Sequence, residues 1–276
     1  MDASFVRKPA VAGRFYPSHP EELAQAVDLY LGAEPAEPEK VLGAAKACVA
    51  PHAGYMYSGR VAGAVYRRLP PCDSFVILGP NHFGCGEPLA IMTRGAWRTP
   101  LGDAPIDSDL ADVILHHCEF LVEDETAHAQ EHSLEVQLPF LQRMMKSFSF
   151  VPIALGGVGY EMLATFGQQL AQAIREYAKP VFVIASSDMN HYEPDGITRA
   201  KDQKAIDRIL ALDPKGLSDV IFRERITMCG SGPAVATLAT MKALGASQAS
   251  LVKYATSADA GGDRRSVVGY AGIVIQ

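Results

Sequence analysis

The sequence predicts an α/β layered domain built on a mixed sheet, and three observations carry that prediction. Short apolar runs bounded by glycine, proline or polar residues read as buried strands, the clearest being Ala47–Ala50, Phe75–Leu78 and Pro180–Ser187. Longer segments with apolar residues at helical spacing lie between them, as in Tyr160–Tyr177. The alternation continues along the chain with no repeat of fixed period, no low-complexity tract and no linker. Residues 1–276 are therefore expected to form one domain.

Taken in order, Arg7–Pro17 is rich in turn formers and aromatics and reads as an irregular arm packed on the body. Ser18 or His19 is a candidate cap for a helix over Pro20–Leu31, whose Leu23, Val27 and Leu31 share one face. Gly32–Lys40, with Pro35 and Pro38, reads as a loop. The strand Ala47–Ala50 leads to Pro51-His52-Ala53-Gly54 and then to a helix over Arg60–Leu69. The strand Phe75–Leu78 ends at a Gly79-Pro80 break followed by His82. Leu89–Thr93 and Gly95–Gly102 read as a hairpin or as edge strands.

Asp107 suits the cap of a helix reaching His117. Glu131–Lys146 reads as a helix in which Pro139 demands a kink or a late start. Phe150–Gly156 reads as a strand, Tyr160–Tyr177 as a helix, and Pro180–Ser187 as a strand ending at Asp188. Helices over Asp195–Leu212, Pro214–Phe222 and Gly230–Leu244 follow, and Ala249–Ser257 and Ser266–Ile275 close the chain as strands.

Composition narrows the function. The net charge of −6 and the absence of a Lys/Arg-rich run argue against nucleic acid and against a membrane surface. No run approaches the ~20 apolar residues needed to span a bilayer, and the N-terminus lacks a signal-peptide core, so a cytoplasmic location is expected. Cys48, Cys72, Cys85, Cys118 and Cys229 are odd in number and irregularly spaced, which excludes a disulfide framework or a zinc knuckle as the organising element.

Polar residues with chemistry gather after strands and at helix starts. His52 and His82 each follow a strand, and in open α/β sheets that end is where ligands bind. Asp188 and His191 follow a third strand, and His132 opens a helical segment. Cys229 lies just before a helix, whose N-terminal partial charge favours thiolate, the metal-binding form. His52, His82 and Cys229 make a three-ligand set with an open coordination position, as catalytic zinc and non-haem iron require. Asp188, His191 and His132 are candidates to orient a ligand or to act as acid and base.

Each residue also has a plainer reading. Cys229 can be an inert small side chain, Asp188 a helix cap, and His132 with Glu135 a solvated helix start. His128 has no assigned role, His116-His117 read as surface, and Asp259–Arg265 reads as a solvated loop or a lid.

Several segments together resemble the Memo family, whose prokaryotic members are called AmmeMemoRadiSam system protein B. They are Ala10–Pro17, Pro51–Gly59, Ile77–His82, Trp97–Gly102, Glu131–Pro139, Ser186–His191, Met228–Gly230 and Ser266–Gly272, in order over nearly the whole chain. The resemblance implies a three-layer α/β/α sandwich around a mixed central sheet, similar to the fold of class III extradiol non-haem iron dioxygenases. It implies metal ligation by His52, His82 and Cys229, with Asp188, His191 and His132 lining the same pocket. In the extradiol enzymes the third ligand is a carboxylate, so the Cys229 thiolate is a departure toward a softer, charge-donating ligand.

The expected cofactor is Fe(II), with zinc or copper as alternatives. The resemblance implies an AMMECR-type protein and a radical SAM enzyme as partners. Three functions follow as expectations: a metal-dependent redox enzyme or dioxygenase homologue, a zinc-dependent hydrolase, and a non-catalytic peptide-binding or adaptor protein on the same scaffold.

Overall fold

The computed structural model describes residues 5–32 and 45–276, so the loop expected over Gly32–Lys40 lies outside the described residues except for Gly32, which ends a helix. The chain runs β1 (Val6–Arg7), α1 (Pro20–Gly32), β2 (Ala47–Ala50), α2 (Tyr55–Tyr66), β3 (Ser74–Pro80), β4 (Leu89–Ile91), β5 (Ala96–Thr99) and β6 (Gly102–Pro105). It continues with α3 (Ser108–His117), β7 (Val122–Glu123), α4 (Leu138–Met144), β8 (Ser149–Leu155), α5 (Tyr160–Glu176), β9 (Val181–Ser186) and β10 (His191–Glu193). Then come α6 (Asp195–Leu210), α7 (Pro214–Glu224), α8 (Ser231–Ala243), β11 (Ala249–Thr256) and β12 (Val267–Ile275).

A nine-stranded sheet has the order β10-β12-β2-β9-β3-β8-β4-β7, with β11 also paired to β12. Its centre, β2-β9-β3-β8, is parallel. β12 on β2 and β4 on β8 are antiparallel, which makes the sheet mixed. The central strands are buried on both faces, so their side chains alternate between two cores. Val76, Leu78, Val183 and Ala185 pack with residues of α3, α5, α6, α7 and α8. Phe75, Ile77, Phe182 and Ile184 pack with residues of α1, α2 and α4 on the other face. The result is the three-layer α/β/α arrangement. No helix among the described residues is long and apolar enough to cross a membrane.

Four elements depart from the sequence reading. α2 starts at Tyr55 rather than Arg60, because Gly59 is a packing residue inside the helix and not a break. A Cβ there would meet the Tyr30 ring at 2.7 Å. The hairpin is β5-β6, joined by β1 in a separate three-stranded sheet, whereas β4 belongs to the large sheet. Glu131–Lys146 is not one helix: Glu135–Gln137 form a 3-10 turn and α4 begins at Leu138. Pro139 then sits in the first turn, where its missing N–H leaves no intrahelical bond unmade. The arm is not wholly irregular, since Val6–Arg7 pairs in parallel with Ala96–Trp97.

Candidate metal centre

The strand order brings the site together. β9 lies between β2 and β3, so the residues following these three parallel strands emerge side by side at one sheet edge. They are His52 after β2, Asp188 after β9 and His82 after β3. Cys229 arrives from the other layer, one residue before the Gly230 cap of α8. Gly230 makes that approach possible. A Cβ on it would lie 2.3 Å from the Ser186 carbonyl oxygen and 2.4 Å from Ser187 Cβ.

A chain of hydrogen bonds fixes the tautomer of His52. The Tyr66 hydroxyl donates to Gln137 Oε1 (2.8 Å), so the Gln137 amide NH2 faces Pro51 O and Ser186 Oγ, at 3.1 and 2.8 Å. Ser186 Oγ spends its own proton on Ser133 O (2.6 Å). Its remaining lone pair can only accept, so His52 Nδ1–H donates to it at 2.9 Å. The lone pair of His52 is therefore on Nε2.

His82 is oriented by a carboxylate. Its Nδ1 and its backbone N both donate to Glu131, at 2.9 and 2.7 Å, again leaving Nε2 as the free donor atom. This is the carboxylate–histidine pairing that usually orients metal-ligating imidazoles. Burial alone pushes the Glu131 carboxyl up, but the bonds from His82 and Ser133 outweigh it and hold it near 2. Burial, reinforced by repulsion from His82, lowers His52 to about 3. Burial and the nearby His52 lower His132 to about 4. Both rings are neutral at pH 7, as a ligand or a proton acceptor must be.

Cys229 Sγ lies 3.1 Å from His52 Nε2. His52, His82 and Cys229 each offer a ligand atom, all within 4.8 Å of one another. A tetrahedral site with zinc-like bond lengths has ligand atoms about 3.5 Å apart, so the set fits one ion with small side-chain adjustments. The thiol corrects one expectation. Burial and the Asp188 carboxylate push its pKa well up, outweighing the backbone N–H groups of Cys229 and Gly230 that lower it. Without a cation the group is a thiol, not a thiolate.

His132, Asp188 and His191 all line the same cavity, of about 850 Å³, together with His52, His82 and Cys229. His132 stacks on His82 at 4.5 Å between ring centroids. Asp188 caps no helix: its Oδ1 accepts from the backbone N of His52 (2.8 Å) and Ala53 (3.3 Å), which fixes the turn carrying His52. His191 Nδ1 donates to Thr227 O (2.8 Å) and leaves its Nε2 free. The cavity wall also includes Gly262, Asp263 and Ser266. The preceding turn is tied down by Asp259, which accepts from Thr256 N and Arg199, both at 2.8 Å.

Two neighbours in sequence lie elsewhere. Glu135 is fully buried away from the cavity, pairing with Arg7 and accepting from the backbone N of Ala10 and Val11 at 2.8 and 3.1 Å. His128 is buried beside Trp97, its Nδ1 donating to Asp124 O (2.8 Å). Glu131, Ser186 and Gln137 support the site, and the sequence reading gives none of them a role there. His82, Glu131 and His132 also cluster at metal-binding distances, but both Glu131 oxygens already accept N–H bonds, so this group is a scaffold.

Comparison with known proteins agrees with this architecture. A protein of Escherichia coli K12 described as uncharacterized matches the fold with a TM-score of 0.55 over 83% of this chain and 99% of its own, at 14% identity. A MEMO1 family protein of Methanopyrus kandleri is 46% identical over 98% of this chain and 99% of its own. Another, of Pyrobaculum aerophilum, is 46% identical over 98% of each chain. The family model described as Memo-like protein matches residues 7–274, and with these relatives it shows that the chain belongs to the Memo family.

Proposed function

We propose that this protein binds one divalent or redox-active metal through His52, His82 and Cys229, and acts on a small organic substrate in the adjoining cavity. The observation that carries the reading is the orientation of both imidazoles. Each commits Nδ1 to a buried acceptor, Ser186 Oγ for His52 and Glu131 for His82, and so presents a lone pair on Nε2. Fe(II) is the first candidate, with zinc and copper as alternatives, because imidazole and thiolate suit all three. The metal, when bound, would supply a Lewis-acidic centre with an open coordination position, and with iron or copper a redox-active one.

The chain's own residues supply the rest. The cavity of about 850 Å³ falls in the range that holds small-molecule ligands. Phe15, Tyr57 and Tyr270 give it aromatic walls suited to a planar substrate. His132, neutral at pH 7, accepts a proton from a substrate hydroxyl, and His191 Nε2 is a second acceptor in the same cavity. Asp188 holds the His52 turn. None of the described lining residues is Lys or Arg, which disfavours the alternative of an anionic-peptide adaptor.

The test is metal analysis of protein purified without chelators, followed by anaerobic reconstitution. Retention of iron in the native protein, lost in His52→Ala and His82→Ala, supports the reading. Turnover that persists without dioxygen and returns with zinc alone would replace it with a hydrolase. Failure to retain or rebind any of the three metals would end it.

A further inference from the structure

Asp188 is a buried carboxylate without a cationic partner. It is 4% exposed, and its bonds are the two backbone N–H groups at Oδ1. Among the described residues no Lys or Arg pairs with it. Buried carboxylates are ordinarily paired with a cation or coordinate a metal. One divalent ion at His52, His82 and Cys229 balances the Cys229 thiolate and the Glu131 carboxylate. It uses neither Asp188 oxygen.

His191 is aimed at the same place by three separate devices. Its Nδ1 is committed to Thr227 O (2.8 Å), so Nε2 carries the lone pair. Its backbone N donates to Thr227 Oγ1 (2.7 Å), and Thr227 is itself held by a bond from its N to Asn190 Oδ1 (3.0 Å). The β10-β12 register shifts between His191 and Glu193, and the intervening Tyr192 has φ +61°. A bulge with a left-handed, non-glycine residue is a device for re-aiming a neighbouring side chain, and it persists only where surrounding structure enforces it.

Asp188 and His191 make neither a hydrogen bond nor an ion pair with each other. Yet Asp188, His191 and Cys229 each offer a ligand atom, all within 4.8 Å of one another. One ion can therefore reach a ligand atom of each of the three.

We propose that Asp188, His191 and Cys229 form a second metal position beside the first, with the Cys229 thiolate bridging two ions. The proposal rests on the first position for the bridge alone. One carboxylate oxygen, one imidazole nitrogen and one thiolate sulfur select a borderline divalent transition ion such as Fe(II), Co(II) or Zn(II) over Mg(II) or Ca(II). Sharing Sγ brings the ions to the separation of about 3.5–4 Å found in two-metal sites. With only the first position filled, Asp188 and His191 face the substrate; with both filled, they are metal-bound and withdrawn from proton transfer.

The experiment is anaerobic titration of the chelator-stripped full chain with Co(II), read by equilibrium dialysis with metal analysis, thiolate-to-cobalt absorption and EPR. The wild-type chain binds two equivalents, and the EPR intensity per cobalt falls as the second enters, because bridged ions couple. His191→Ala and Asp188→Asn each bind one, with the thiolate band retained. The double variant His52→Ala/His82→Ala also binds one. His191 lies at the cavity rim, and its variant keeps the Asp188 bonds that hold the His52 turn, so a folded His191→Ala chain alone decides the matter. A single equivalent in the wild-type chain, or two in His191→Ala, overturns the second position. Unchanged stoichiometry in the double variant instead overturns the first.

Discussion

Cys229 Sγ and His52 Nε2 lie 3.1 Å apart across 177 residues of sequence. Because His52 keeps its ring proton on Nδ1 for Ser186, its Nε2 accepts, and the Cys229 thiol donates S–H to it. The metal-free protein thus stores a proton where a ligand has to be. Burial and Asp188 raise the thiol pKa far enough that the proton is in place throughout the neutral range.

The first prediction follows directly. Metal binding at His52, His82 and Cys229 releases close to one proton, and apparent affinity rises about tenfold per pH unit between pH 6.5 and 8. Calorimetry in two buffers of different ionisation enthalpy measures the proton count. Release near zero would mean that Cys229 is not a ligand or is already thiolate.

Glu131→Gln tests the second imidazole. The amide can still accept from Nδ1 of His82 through its oxygen, but the buried negative charge is gone. Metal affinity falls about 10–100-fold, as is typical when a partner of a ligating histidine is lost. Competition against a chromophoric chelator measures it. An unchanged affinity would show that the His82–Glu131 contact is structural only.

How much of this is legible in the sequence differs residue by residue. His52 and His82 are visible because apolar runs end just before them, and the parallel strands β2 and β3 bear that out. Glu131 is not, because it meets His82 across 49 residues through a register that no local pattern encodes. The spacing of His132 and Glu135 predicts a shared helical face. The chain there is a turn followed by a 3-10 turn, not one α-helix, so His132 turns to the cavity and Glu135 to Arg7. The helix-start argument for Cys229 has the right sign, since the amides of Cys229 and Gly230 do lower its pKa. It fails on magnitude, because burial depends on how β9 and α8 pack. The sequence reading leaves Gly59 just outside one helix and makes Gly230 the first residue of another, and both are close-approach positions.

The buried histidines make the metal-free fold acid-labile. Burial lowers His128 to about 4, against an ordinary value of 6.5. Below pH 6.5 the unfolded chain binds a proton there that the folded chain refuses, so stability falls as pH drops from 6.5 toward 4. His128 contributes about 2 kcal/mol of that loss by pH 4.5. His132 and His52 add in the same direction. His128 isolates the effect because it lies outside the cavity. His128→Gln, compared with wild type by denaturant unfolding at pH 7.0 and 4.5 in chelator, loses less stability between the two. An equal loss in both chains would remove His128 from the account.

Gly230 joins the two halves of the site, and its substitution separates fold from function. In Gly230→Ala the added Cβ would stand 2.3 Å from Ser186 O and 2.4 Å from Ser187 Cβ. Neither atom can yield easily: the first is strand backbone in β9, and the second is fixed by the chain leading to Asp188. The start of α8 must move outward instead, carrying Cys229 away from His52. Overpacking of this kind costs about 1–3 kcal/mol of stability. The larger effect falls on the metal, because a thiolate displaced by a few tenths of an ångström loses much of its own bond to the ion. The expected outcome is a folded protein with a modestly lowered Tm. Its Co(II) complex loses most of its thiolate-to-metal absorption while keeping the imidazole ligation. A Gly230→Ala chain with full thiolate absorption and unchanged affinity would show that Cys229 reaches the metal independently of how α8 docks on β9.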